Sequence, residues 1–365
     1  MVFKKYLIME QNRLDTALQY LPGLRFWIIT TGVIVTFAAL KAAAHIVNII
    51  LLASFLTAIS LAPLNWLIKK GVNKTMAALM VIFMVMLVMG LVGFIIGASI
   101  NGFAQKMPVY EEKFKELIID TENSLADVGL IDNISLNRNL LKSSKILPMV
   151  APIASGFGSI ISGALIIFIF FVFMIFEAEM FGRKMAYVSE ASSAEVDKVL
   201  KQLRNYFGIK TLTSLATGVT IGIMLFALGV DFPVLWGFLA FILNYIPSIG
   251  SFIAAIPAVL LAFIMNGPLT GFITIGGYLI LNTLIGNVIE PQLMGRNLGI
   301  SPLVVFFSMI LYGYILGPIG MLIATPLAII IKIIFDSREV TRKLGILLSD
   351  GRELNELEKE MKKDK

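Results

Sequence analysis

The sequence predicts an all-α polytopic integral membrane protein, with about eight membrane segments, two of them Pro/Gly-broken helical hairpins forming an inverted repeat. Three observations predict it. Of the 365 residues, 58% are hydrophobic and only 15% charged, whereas a soluble globule is about 45–50% apolar and about 25% charged. Apolar runs recur at the length of about 20 residues that crosses a bilayer. Two further runs are too long for one crossing, and each carries Pro and Gly in its middle.

Composition also excludes. Without cysteine, no disulfide framework, thiolate nucleophile or zinc–thiolate site is available. His45 is the one histidine, so a multi-histidine metal site is ruled out. No cofactor is expected. No hydrolase or kinase motif occurs, and the absence of G-x-x-x-x-G-K-[ST] argues against ATP hydrolysis. An enzyme is not expected. The net charge of +6 is assigned to cytoplasmic loops rather than to nucleic-acid binding.

Simple spans are predicted near 26–40, 44–64, 76–100, 148–176, 211–229 and 269–289, and the two long runs are 233–265 and 303–334. Lys and Arg collect on cytoplasmic loops. That rule puts the N-terminus and the 69–74 loop inside. Segment 101–147 then falls outside, and 177–210 inside. The loops at 229–232 and 266–268 contain no Lys or Arg and are placed outside. The loop with Arg296 and the tail, with eight Lys and Arg after residue 337, are placed inside. The count closes only if 233–265 starts and ends outside while 303–334 starts and ends inside, so both are hairpins. The expected divisions are N-terminal membrane helices (1–100), an extracytoplasmic amphipathic segment (101–147), a membrane helix (148–178), a cytoplasmic helical segment (179–210), a C-terminal transport region (211–335) and a cytoplasmic tail (336–365).

Two stripes outside the spans recur at three- and four-residue spacing. One joins Val196, Val199, Leu200, Leu203, Tyr206 and Phe207, with a capping box at Ser192 and Glu195. The other joins Tyr110, Phe114, Leu117 and Ile118. Both are expected to pack on the protein or lie at the lipid surface.

A shift of 70 positions aligns the hairpins. Leu228-Gly229 meets Leu298-Gly299, Ile249-Gly250 meets Ile319-Gly320, Ile253-Ala254 meets Ile323-Ala324, and Ala258 meets Ala328. Pro247 and Pro257 match Pro318 and Pro326 within one position. With the copies on opposite sides, this is the inverted-repeat plan of many transporters. Pro and Gly free backbone groups that lipid cannot satisfy, so the breaks must face protein or a wet cavity. The competing expectation is that Pro and Gly only kink packed spans.

Candidate translocation residues follow. The first bend offers Asn244, Tyr245, Pro247, Ser248, Gly250 and Ser251; the second offers Gly317, Pro318, Gly320 and then Thr325. On 269–289, at about 100° per residue, Asn282, Thr283, Asn287 and Glu290 share one stripe with Gly276 and Gly286. Two roles are open to Glu290: a proton or cation carrier, or an interfacial carboxylate in water. Asp231 is a weaker coupling candidate.

Further motifs are Lys210-Thr211, Ser214, Thr217-Gly218, Gly229-Val230-Asp231-Phe232-Pro233, Leu235-Trp236-Gly237, Asn244-Tyr245-Ile246-Pro247-Ser248-Ile249-Gly250, Gly286-Asn287, Glu290-Pro291, Leu293-Met294-Gly295-Arg296, Ser301-Pro302-Leu303-Val304-Val305, Gly317-Pro318-Ile319-Gly320 and Pro326-Leu327. Their ordered combination, over roughly 204–334, resembles the autoinducer-2 exporter family of bacterial membrane proteins, especially its quorum-signal transport subgroup. The resemblance implies a multi-pass bacterial inner-membrane protein with cytoplasmic termini that exports the autoinducer-2 signal or a related polyhydroxylated solute. It also implies a homo-oligomer, taken as a pentamer. Some relatives resemble sodium–proton antiporters. The expected partners are thus the lipid bilayer, a small polar solute, and protons or sodium. Three functions remain in competition: a secondary exporter, a cation–proton antiporter using Glu290, and a scaffold acting through 101–147 and the tail.

Overall fold

A computed structural model describes residues 22–127, 163–178, 193–247, 249–294, 299–336 and 341–351, with residues 180, 184 and 187 between. The capping box at Ser192, the bend residue Ser248, Arg296 and the first part of the 148–176 run lie outside the described residues. Among those described, regular structure is helical apart from one antiparallel bridge, Ile300 to Ser349. Five helices there are long and apolar enough to cross a membrane, and the protein is all-α and polytopic.

Helix α1 (Pro22–Ala42) leads into α2 (Ala44–Lys69). Helix α3 (Lys74–Asp127) is one unbroken helix of 54 residues, about 80 Å long. It joins the expected 76–100 span to the 110–118 stripe, with no helix end near residue 100. Its apolar half packs on α2 and on α4 (Gly163–Ala178) through Leu64, Ala77, Ala78, Val81, Phe171 and Ile175. Further along, Phe103 and Tyr110 are buried with Trp236. Helix α5 (Ser193–Ala227) likewise fuses the expected cytoplasmic helix to the following span.

The first hairpin is α6 (Pro233–Leu243) and α7 (Gly250–Asn266). With 11 residues, α6 spans about 16 Å, half of the hydrocarbon core. Then follow α8 (Pro268–Asn282), a π-helical turn (Thr283–Ile289) and α9 (Glu290–Met294). The second hairpin is α10 (Pro302–Leu316) and α11 (Pro318–Asp336), and α12 (Arg342–Leu348) closes the described chain.

The residues matched by the repeat do equivalent work. A Cβ on Gly250 would lie 1.7 Å from the Leu243 carbonyl oxygen, and one on Gly320 would lie 2.1 Å from that of Tyr312. In each hairpin the glycine lets the return helix start against the backbone of the helix before it. The matched Ala254 and Ala324 are both fully buried. At the second break Gly317 has φ 72°, and Pro318 has no N–H to donate. The carbonyl of Leu316, the last residue of α10 and so without an intrahelical partner, accepts from Asn48 Nδ2 on α2 at 3.0 Å.

Each hairpin begins and ends at one place. Asn266 Nδ2 donates to the Gly229 carbonyl at 3.1 Å, tying the end of α7 to the entrance of α6. The Ser301 amide donates to the Leu348 carbonyl at 3.0 Å, and Gly345 packs against Asp336, tying the entrance of α10 to the end of α11. These mouths lie far apart along α5, because Gly229 follows its C-terminus while Ile300 packs on Tyr206 and Phe207 near its middle. Phe207 to Ala227 is 20 residues, or about 30 Å of helix. The hairpins meet where Ile246 of the first break packs on Met309 and Ala324 of the second hairpin.

Candidate functional site

Helix α5 carries the site. Lys210, Thr213, Ser214 and Thr217 recur at three- and four-residue spacing, which puts them on one helix face, and all four are buried. Partners on two other elements meet that face. Asn244, at the end of α6, donates through Nδ2 to Ser214 Oγ at 3.0 Å. The next residue, Tyr245, donates its hydroxyl to Thr211 Oγ1 at 2.8 Å, and Thr211 donates to the Phe207 carbonyl at 2.6 Å. The first break is thereby fixed to α5 by its own polar side chains.

From the other side comes Glu290. Lys210 Nζ donates to its two carboxylate oxygens at 2.7 and 2.8 Å, and Thr213 Oγ1 adds a third bond at 3.2 Å. The side chains are 6% and 15% exposed. Removing two charges from water is expensive, and close pairing with further hydrogen bonds is what compensates it. Glu290 reaches this position directly after the π-helical turn, a feature often found at functional sites. Tyr206 lies alongside Glu290, Tyr245 and Thr325, which brings the second hairpin into the same cluster.

The structure therefore gathers Asn244, Tyr245, Glu290 and Thr325, with Gly250 and Gly320 closing the two hairpins. Pro247, Ser251 and Gly317 are half-buried at the breaks, and Pro318 is exposed. The stripe expected on 269–289 does not hold. Asn282 stays partly buried, but Thr283 and Asn287 are exposed. The i→i+5 turn, Thr283–Ile289, carries more residues than an α turn, so Asn287 falls behind the 100° spacing.

Asp231 is not at the site. It lies past the far end of α5, about 25 Å of helix from Lys210. There it binds Lys106 Nζ at 2.9 and 3.0 Å and the Tyr110 hydroxyl at 2.9 Å, and its carbonyl accepts from Trp236 Nε1 at 2.9 Å. This cluster docks the projecting half of α3 on the entrance of the first hairpin. Among the described residues no group of three His, Cys, Asp or Glu is placed to hold a metal.

Lys210 is the residue that sequence reasoning misplaced. It counts as a loop cation in the charge tally, yet it is buried against Glu290. The available signal was the continuation of its three- and four-residue spacing into Thr213, Ser214 and Thr217. Chemically, the cluster offers hydroxyl and amide groups that exchange hydrogen bonds with a neutral solute, beside one carboxylate whose counter-charge is internal.

The profile of the AI-2E family transporter matches residues 28–339. YhhT of Escherichia coli (strain K12), a candidate transport protein, is 33% identical over 90% of this chain and 95% of its own. The AI-2 transport protein TqsA of the same strain is 30% identical over 90% of this chain and 97% of its own. A candidate transport protein of Haemophilus influenzae is 34% identical over 87% of this chain and 94% of its own.

Proposed function

The chain belongs to the AI-2E family of transporters, and from that membership we propose that it is a secondary exporter of a small polar organic solute, autoinducer-2 or a related molecule, in the bacterial inner membrane. The observation that carries the reading is the meeting of both broken hairpins beside the buried polar face of α5. Hairpins whose mouths lie about 30 Å apart along α5 support entry from opposite faces of the membrane, the inverted plan in which transporters hold substrate near the midplane. The groups gathered there are Asn, Ser, Thr and Tyr, suited to hydroxyls, and the lysine among them, Lys210, is already matched by Glu290. The name of TqsA supports autoinducer-2 as the first solute to test. A homo-oligomer, pentameric by the earlier resemblance, with cytoplasmic termini, belongs to the same reading.

The test is efflux of autoinducer-2 from proteoliposomes containing the full chain. Asn244→Ala removes one donor from the first break and should lower efflux about tenfold, near the upper worth of one neutral hydrogen bond. Efflux by Asn244→Ala equal to wild type would remove the proposed site. A second reading, cation–proton antiport, is favoured by one observation: Glu290 is a largely buried carboxylate paired with a single cationic side chain, Lys210. Sodium-dependent proton movement that survives in full in Glu290→Gln eliminates the form of this reading that uses Glu290, and its absence from the wild type eliminates the reading itself.

A further inference from the structure

Helix α8 carries two buried polar atoms without a hydrogen-bond partner among the described residues: the hydroxyl of Tyr278 and Oδ1 of Asn282. They are four residues apart and share one helix face. Tyr278 is 2% exposed and sits among Ile221 and Leu225 of α5. A buried polar group with no hydrogen bond is costly, so each such group calls for an explanation.

Their register gives one. Helix α8 and its continuation run antiparallel to α5. Glu290 meets Lys210 and Thr213 at one end, and Gly277 packs on Met224 at the other. Tyr278 and Asn282 therefore fall between, on the stretch of α5 that begins at buried Thr217. They lie between the ion pair and the C-terminal end of α5, beyond its buried hydroxyl Thr217. Tyr278 can both donate and accept, and Asn282 Oδ1 accepts only. A solute hydroxyl has the matching chemistry for each, since it can accept from Tyr278 and donate to Asn282.

We propose that Tyr278 and Asn282 form a hydroxyl-binding pair for the transported solute, one step along its path from the Lys210–Glu290 cluster. The proposal rests on the transport reading above and narrows it to solutes with at least one free hydroxyl group.

The experiment uses the full chain in two formats with autoinducer-2 as the probe: efflux from proteoliposomes, and thermal-shift titration in detergent. Tyr278→Phe deletes only the hydroxyl, and Asn282→Ala provides the second variant. The expected result is a KM raised about tenfold in each, the scale of one lost neutral hydrogen bond, with the maximal rate within about twofold and a matching loss of the thermal shift. Wild-type KM in both variants, with Tyr278→Phe more heat-stable, means an orphan hydroxyl in an apolar core and overturns the pair while leaving the exporter reading intact. If the wild type binds the probe through Tyr278 but moves none, the exporter reading fails and the pair stands. If the wild type neither binds nor moves it, both fall.

Discussion

Lys210 and Glu290 answer for each other. Each is desolvated, and removing one partner strands the other charge. In buried pairs that loss costs about 3–5 kcal/mol, while replacing both by apolar residues is often neutral or stabilising. Lys210→Met and Glu290→Gln should each lower the melting temperature of the purified protein. The double variant Lys210→Met/Glu290→Leu should recover most of the loss. Differential scanning fluorimetry decides the matter, and a double variant no more stable than the worse single would contradict mutual compensation. If the pair also serves transport, the recovered double variant stays inactive, which separates function from folding. Part of this was readable in the sequence. Asn244 and Glu290 stand out as polar residues beside breaks or within apolar helix. Lys210 does not, because a lysine at the edge of an apolar run looks the same whether its ammonium reaches water or a carboxylate 80 positions away.

Among the elements, the two hairpins were legible because Gly and Pro are required where they stand. The repeat pairs Gly250 with Gly320, and the structure gives both one task, bringing the return helix against a backbone carbonyl. An added methyl there meets backbone rather than a movable side chain. Gly250→Ala and Gly320→Ala should therefore each destabilise by about 1–3 kcal/mol, the usual range for overpacking. Gly276→Ala is the control. Nothing lies within 4 Å of its added Cβ, and alanine is the better helix former, so its melting temperature should hold or rise. Equal melting temperatures for all three variants would show that the hairpins do not need close backbone approach. Less was legible where helices outrun the membrane. Apolar runs mark the part in lipid and stop at its edge, so α3 and α5 each read as two elements. The π turn escaped for a related reason: seven residues of apolar sequence do not signal a change of period.

At the scale of the whole molecule, the proposed topology draws on two separate supports, loop charge and hydrogen bonding. The loop charges require each long run to start and finish on its own side. Hydrogen bonds supply the local ties: Asn266 to Gly229 for the first hairpin, Ser301 to Leu348 for the second. Between the two mouths lies a stretch of α5 about 30 Å long, close to the thickness of the hydrocarbon core. Lipid does not tolerate unsatisfied backbone, so the loops at both mouths belong in water, and α5 is long enough to put them in water on different sides. Because the chain has no cysteine, Asn266→Cys and Arg342→Cys each introduce a single thiol, at positions that are exposed. An impermeant maleimide applied to spheroplasts should label the Asn266→Cys chain at once, and the Arg342→Cys chain only after the membrane is opened. Labelling of both from one side would place the hairpins in one leaflet. The breaks could then no longer approach each other from opposite faces, and the cluster on α5 would lose its claim to lie on a path across the bilayer.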